Sequence, residues 1–190
     1  KGCKLGCLNK SGHGILTTVQ HARLQRTKFY FQHREAFQEV LLWELIAKRN
    51  KAQRLGLTLA IRLNGTSDLP FEAIYPRLFT AFSDSILYDY TKTFPRFKRY
   101  MRGELPSNVH LTFSRSEDNE DQVNEVLSNG YNVAVVFSHK KPLPKTWKGL
   151  PVLDATKGDE RFLDPSGHIV GLQANGRSRH DTTGFVVCDA

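Results

Sequence analysis

The chain has 190 residues, of which 39% are hydrophobic and 24% charged, and a formal net charge of +8. That balance excludes a disordered chain and suits one globular domain with a sizeable core. No stretch reaches the roughly 18 apolar residues that a membrane span needs, so no membrane partner is expected.

The excess of Lys and Arg favours polyanionic partners, nucleic acid among them. Three cysteines form no disulfide framework, which points to a reducing, cytoplasmic setting. No signal peptide is expected, and a start at Lys1 rather than Met implies processing or trimming upstream. Residues 1–190 read as a single domain with three parts: a cysteine loop over 1–14, helices over 15–55, and a βα portion over 56–190.

The chain opens with "KGCKLGCLNKSGHGI", which sets Cys3 and Cys7 in a glycine-rich turn. From about Thr17 to Leu55 the pattern is helical: proline is absent, and Phe37, Val40, Leu41 and Leu45 fall at helical spacing. A break near His33-Arg34 divides this region into two helices, and Gly56 ends it. The period then changes. "LTLAIRLNG", "ILYDYTK", "VHLTFSRS", "VAVVFSH", "PVLDAT" and "HIVGLQANG" each read as a strand. Helical or irregular segments separate the earlier ones, at Phe71–Phe82, Phe94–Arg102 and Glu117–Leu127. Ser116 is the expected cap of the last, with Glu117 and Asp118 in its first turn and Gly130 at its end. Strands alternating with helices predict parallel βα units. "KKPLPKTWKG" reads as a loop that replaces a later helix.

Alternation within the strands bears on closure. Leu57, Leu59, Ile61 and Leu63 share one face, as do Val109, Leu111 and Phe113, and Val133, Val135 and Phe137. The opposite faces carry small or polar residues, including Arg62, Asn64, His110, Thr112, Ser114 and Ala134. A doubly wound sheet wants bulky apolar residues on both faces. A narrow barrel interior wants small ones and can hold a site. The expected fold is therefore α/β, a partial barrel of about six parallel strands preceded by an N-terminal helical region.

The carboxyl ends of parallel strands converge on one rim, where sites are built. The polar residues expected there, as binding residues for a small-molecule or anionic ligand, are Arg62, Asn64, Asp68, Asp89, Lys92, Ser114, Arg115 and Asp154. Ser138, His139 and Arg161 also fall near strand ends. Burying such groups unpaired is costly, and Asp154 is the expected partner of Arg62. A purely structural salt-bridge network would look the same in sequence.

Thiolates bind soft and borderline metals, and Cys-x-x-x-Cys in a glycine-rich turn lets two sulfurs converge. Cys188 supplies a third thiolate if "FVVC" returns beside the N-terminus, and His13 offers a nitrogen. Incidental thiols near a chain end would give the same pattern.

In order along nearly the whole chain, "GCKLGCLNKSGHG", "ARLQRTKFYF", "RLNGTSD", "YDYTK", "HLTFSRSE" and "RFLDPSGHIVGLQANGRSRHDTTGFVV" resemble a family of small uncharacterised bacteriophage proteins. That family is similar to a broader group of radical-SAM-like iron–sulfur phage proteins. The resemblance implies a phage-encoded protein of the infected bacterial cytoplasm. It further implies a 4Fe-4S iron–sulfur cluster on a TIM-like partial barrel, with Cys3 and Cys7 as ligands. Lys10 stands where the third thiolate of the Cys-x-x-x-Cys-x-x-Cys pattern would be, which speaks against SAM chemistry.

Three functions follow as expectations. The first is a cluster-binding barrel protein, with a polar site at the strand ends where an enzyme would act. The second is a basic module binding nucleic acid through helices rich in Arg23, Arg26, Lys28, Arg34, Lys48, Arg49, Lys51 and Arg54. The third is a metal-free barrel with an anionic ligand.

Overall fold

The computed structural model describes Cys7 and residues 12–188. After a short 3-10 turn at Gly12–Ile15, two helices follow, α1 (Thr17–Gln32) and α2 (Arg34–Arg54). They meet at His33, whose φ of −136° breaks the helix where the sequence predicts it. Next come β1 (Ala60–Ile61), α3 (Phe71–Ile74), α4 (Pro76–Ala81), β2 (Ile86–Thr91), α5 (Phe94–Met101) and β3 (Val109–Ser114). The chain continues through α6 (Glu120–Ser128), β4 (Val133–Phe137), β5 (Thr146–Trp147), β6 (Leu150–Asp154) and β7 (Ile169–Gln173).

The strands form one seven-stranded sheet in the order β1-β2-β3-β4-β7-β6-β5. Every pairing is parallel except β5 with β6. The expected α/β class and parallel strands are present. The sheet has seven strands where about six are expected, and it is not closed: β1 and β5 are its edges. The reason lies after β4. The chain runs out to a hairpin, β5–β6, then returns so that β7 slots between β4 and β6. That hairpin lies in the segment expected to be a loop. It turns on Lys148 and Gly149, both at positive φ (50° and 78°), the geometry that a two-residue turn between twisted strands demands.

Alternation sorts the two faces of β3 and β4 as the sequence predicts, whereas Asn64, expected beside Arg62, turns to the helix-covered face and bonds Asp89. Val109, Leu111, Phe113, Val133, Val135 and Phe137 are all buried in the main core, with Ile61 and Leu87 in register beside them. The helices between strands cover this face. Phe97 of α5 and Val123 and Val126 of α6 are fully buried in the same core. Leu57 departs from the expected row: it precedes β1 and is 62% exposed. Helix α6 begins at Glu120, later than expected. The Asn119 side chain takes the Ser116 amide at 2.7 Å and donates to the Ser114 carbonyl at 3.0 Å, holding 114–119 as a turn. Helices α1 and α2 dock through Tyr30, whose ring meets Phe71, and through Phe37, Leu41 and Leu45. No helix is long and apolar enough to cross a membrane, among the described residues.

Candidate functional site

Two polar clusters flank β1 and β2, on opposite faces. On the helix-covered face, Arg96 of α5 is buried against three carboxylates. It grips Glu72 with two bonds (Nε–Oε1 3.0 Å, Nη2–Oε2 2.9 Å) and reaches Asp68 at 3.1 Å and Asp89 at 3.4 Å. Asn64 joins from the loop after β1, donating to Asp89 and to the Leu69 carbonyl, while its own carbonyl takes the Leu69 amide. Asp68 further receives the Lys92 and Thr93 amides at 2.7 and 3.2 Å. One cation serves three acids, and Glu72 claims its bidentate edge. Burial therefore pushes the Asp89 carboxyl up to about 6, although Asn64 and Arg96 pull it down. This cluster is closed off by α3 and α5, with Arg96 and Glu72 each 6% exposed. It ties the helices to the ends of β1 and β2.

The opposite face is polar beside β1 and β2, where the strap of residues 155–168 connecting β6 to β7 crosses it; beyond, it carries apolar Ala134, Val136 and Val170, and Phe185 and Val186 of the later chain pack against Val136. The strap carries Asp159 to the far side of the sheet. There the Asp159 carboxylate accepts from Arg62 Nη1 at 2.6 Å, from the Tyr90 hydroxyl at 3.3 Å and from the Tyr88 hydroxyl at 3.5 Å. Tyr88 and Tyr90 share a face of β2 because they are two apart. The Arg62 guanidinium stacks over the Tyr90 ring at 4.7 Å. Phe162 of the strap packs on Tyr88 and on His110 of β3. Burial, reinforced by the Asp159 charge, raises both tyrosine pKa values, so both hydroxyls remain donors. Burial lowers that of His110, which favours the neutral imidazole. Beside them, Arg161 faces Asp164 at 3.3 Å and donates to the Gly158 carbonyl at 3.0 Å. Among the described residues, the buried Nε groups of Arg62 and Arg161 have no hydrogen-bond partner.

The expected single rim thus divides. Asn64, Asp68 and Asp89 come together, with the Lys92 amide, but on the helix side. Arg62 lies on the other face. Its expected partner Asp154 is not there: Asp154 ends β6 near the opposite edge, exposed, and binds the Thr156 amide at 3.0 Å and Lys157 at 3.7 Å. Arg62 pairs with Asp159 instead, because the strap crosses the sheet and Asp154 stays in its strand. Ser114 is buried and offers its carbonyl to Asn119. Arg115 holds the C-terminal segment through the carbonyls of Gly184 and Phe185 (2.9 and 3.1 Å) and pairs with Glu120 at 3.0 Å. The side chain of Lys92 is exposed, its ammonium 6.0 Å from the centre of the Phe185 ring.

The sequence reading missed Glu72, Arg96, Tyr88, Tyr90 and Asp159. The tyrosines were legible in principle: "YDYTK" alternates ring, acid, ring, so its rings must share the face opposite Asp89. Asp159 carries no local signal.

Of the expected metal ligands, Cys3 lies outside the described residues. Cys7 is half-buried, and Cys188 is an exposed free thiol with Sγ 3.8 Å from the Val186 carbonyl. Among the described residues, no group of three or more His, Cys, Asp or Glu side chains stands together to hold a metal ion. The ligand set for a cluster is therefore not assembled by the described residues.

A family model described as Gene product 88 matches residues 1–188. No curated protein and no solved structure matches the chain.

Proposed function

The chain belongs to the Gene product 88 family of small bacteriophage proteins, and from that premise we propose that it binds a small anionic ligand on the polar face of its sheet, under the strap. One observation carries this reading. The Asp159 carboxylate sits in a cradle of three donors, Arg62, Tyr88 and Tyr90. Such a fork of guanidinium and hydroxyls is what a carboxylate or phosphate requires. Asp159 is half-exposed on a loop, so it occupies the cradle as an internal stand-in that a ligand anion replaces. The Nε–H groups of Arg62 and Arg161 supply further donors for a ligand with more acceptor oxygens than one carboxylate. Neutral His110 adds a group able to take a proton at one wall of the site.

The test is thermal stabilisation and calorimetry with inorganic phosphate, sulfate and citrate at millimolar concentration. Stabilisation by at least one of them, lost in Arg62→Met, is the expected result. If neither the natural chain nor Asp159→Asn binds any of the three, the cradle only pins the strap and the reading fails.

The iron–sulfur cluster that the resemblance implies is a separate proposal, resting on Cys3 and Cys7 alone. The anion site does not depend on it.

A further inference from the structure

Among the described residues, every exposed large hydrophobic side chain except Leu163 lies between Ile15 and Leu57. Helix α2 has no buried residue, yet it is apolar on two sides. Phe37, Leu41 and Leu45 face the core. Val40 and Trp43 lie at three-residue spacing on the outer side, 47% and 76% exposed, with small Ala47 one turn further on. A solvated helix needs only one apolar face, and a second one signals a partner.

The charges of α2 indicate which partner. Glu35, Glu39 and Glu44 occupy its first half, and Lys48, Lys51 and Arg54 its second; all six are exposed. None of the six makes an ion pair among the described residues. The other two cations of the helix are engaged within the chain. Arg49 donates to the Ala81 carbonyl at 2.8 Å and stacks on Phe82, and Arg34 stacks on Tyr30. The outward charge is thus balanced, three against three, and split end to end. A nucleic acid would meet an acidic half as well as a basic one. An antiparallel copy of the same helix meets its complement along the whole length. We infer that α2 is the seam of a two-fold homodimer, in which Trp43 and Val40 of each chain cover the outer face of the other's α2. A two-fold interface uses the same patch twice, and this patch is self-complementary in charge.

Light scattering on the full chain, with dilution, reads the mass directly. The expected result is two chains per particle, and one chain in Trp43→Glu with an unchanged circular dichroism spectrum. Charge reversal gives a check independent of the apolar contact. One variant carries Glu35→Lys, Glu39→Lys and Glu44→Lys; another carries Lys48→Glu, Lys51→Glu and Arg54→Glu. Each alone dissociates at concentrations at least tenfold higher than the natural chain, and the two mixed pair with each other. The inference is overturned if the natural chain is monomeric, if Trp43→Glu remains a dimer, or if either charge variant pairs with itself undiminished. A monomer that binds single-stranded DNA with steep salt dependence and loses it in Trp43→Glu would assign the surface to nucleic acid instead, and also overturns it.

Discussion

Arg62 and Asp159 lie 97 residues apart in the chain and meet at 2.6 Å across the polar face of the sheet. The pair joins the loop after β1, at one edge, to a strap that starts from β6, near the other. Asp159 competes with any external anion for the same three donors. Asp159→Asn therefore tightens phosphate or citrate binding about 3- to 10-fold, the equivalent of roughly 1 kcal/mol for a partly exposed pair. Calorimetric titration of the variant beside the natural chain measures it, and unchanged or weaker binding contradicts the stand-in role.

On the other face, Arg96 is the one cation paired with Glu72, Asp68 and Asp89 among the described residues. Arg96→Met leaves two buried acids without a countercharge and destabilises by about 3–5 kcal/mol. Adding Glu72→Met recovers part of the loss, because the uncompensated acid goes with it. Denaturant unfolding of the single and double variants gives both numbers.

The pH dependence of Asp89 has a definite sign. Its carboxyl is raised from 3.8 to about 6, chiefly by burial. Between those values the folded chain holds a proton that the unfolded chain has released. This contribution is fully present below about pH 4 and is lost as pH rises through 6. Stability relative to Asp89→Asn should then be greater at pH 4.5 than at pH 7.5, by on the order of 2 kcal/mol. A constant difference across that range would mean that Arg96 keeps Asp89 ionised throughout.

Gly171 sits in β7, between β4 and β6. A Cβ there would lie 2.6 Å from Val152 Cγ1 and 3.0 Å from the Leu153 carbonyl oxygen. The second contact is backbone and cannot rotate away. Gly171→Ala is expected to cost about 1–3 kcal/mol by overpacking, measured as a lowered melting temperature with the sheet's circular dichroism retained.

The cluster proposal has its own test. In anaerobically purified protein, Cys7→Ser should abolish bound iron, since a hydroxyl is a far poorer ligand than a thiolate. Iron retained at the natural level would take Cys7 out of the ligand set. Phosphate binding should be the same in both proteins.

The sequence alone determined the properties that depend on near neighbours. Two-residue alternation placed Val109, Leu111 and Phe113 on one face and His110, Thr112 and Ser114 on the other, because a strand's side chains must point in turn to opposite sides. The change of period after Gly56 separated helices from strands for the same kind of reason. Tertiary structure alone decided who meets whom. Whether the sheet closes depends on where β7 pairs, and a strand's pattern does not name its neighbour. Asn64 and Arg62 look like one cluster in "RLNGTSD" but belong to opposite faces, Asn64 turning beneath the helices to reach Asp89. Asp154 and Asp159 look interchangeable as partners for Arg62. Only the path of the strap, which carries Asp159 across the sheet and leaves Asp154 at its edge, chooses between them, because a charge pairs with the opposite charge that the chain brings within reach and not with the one nearest in sequence.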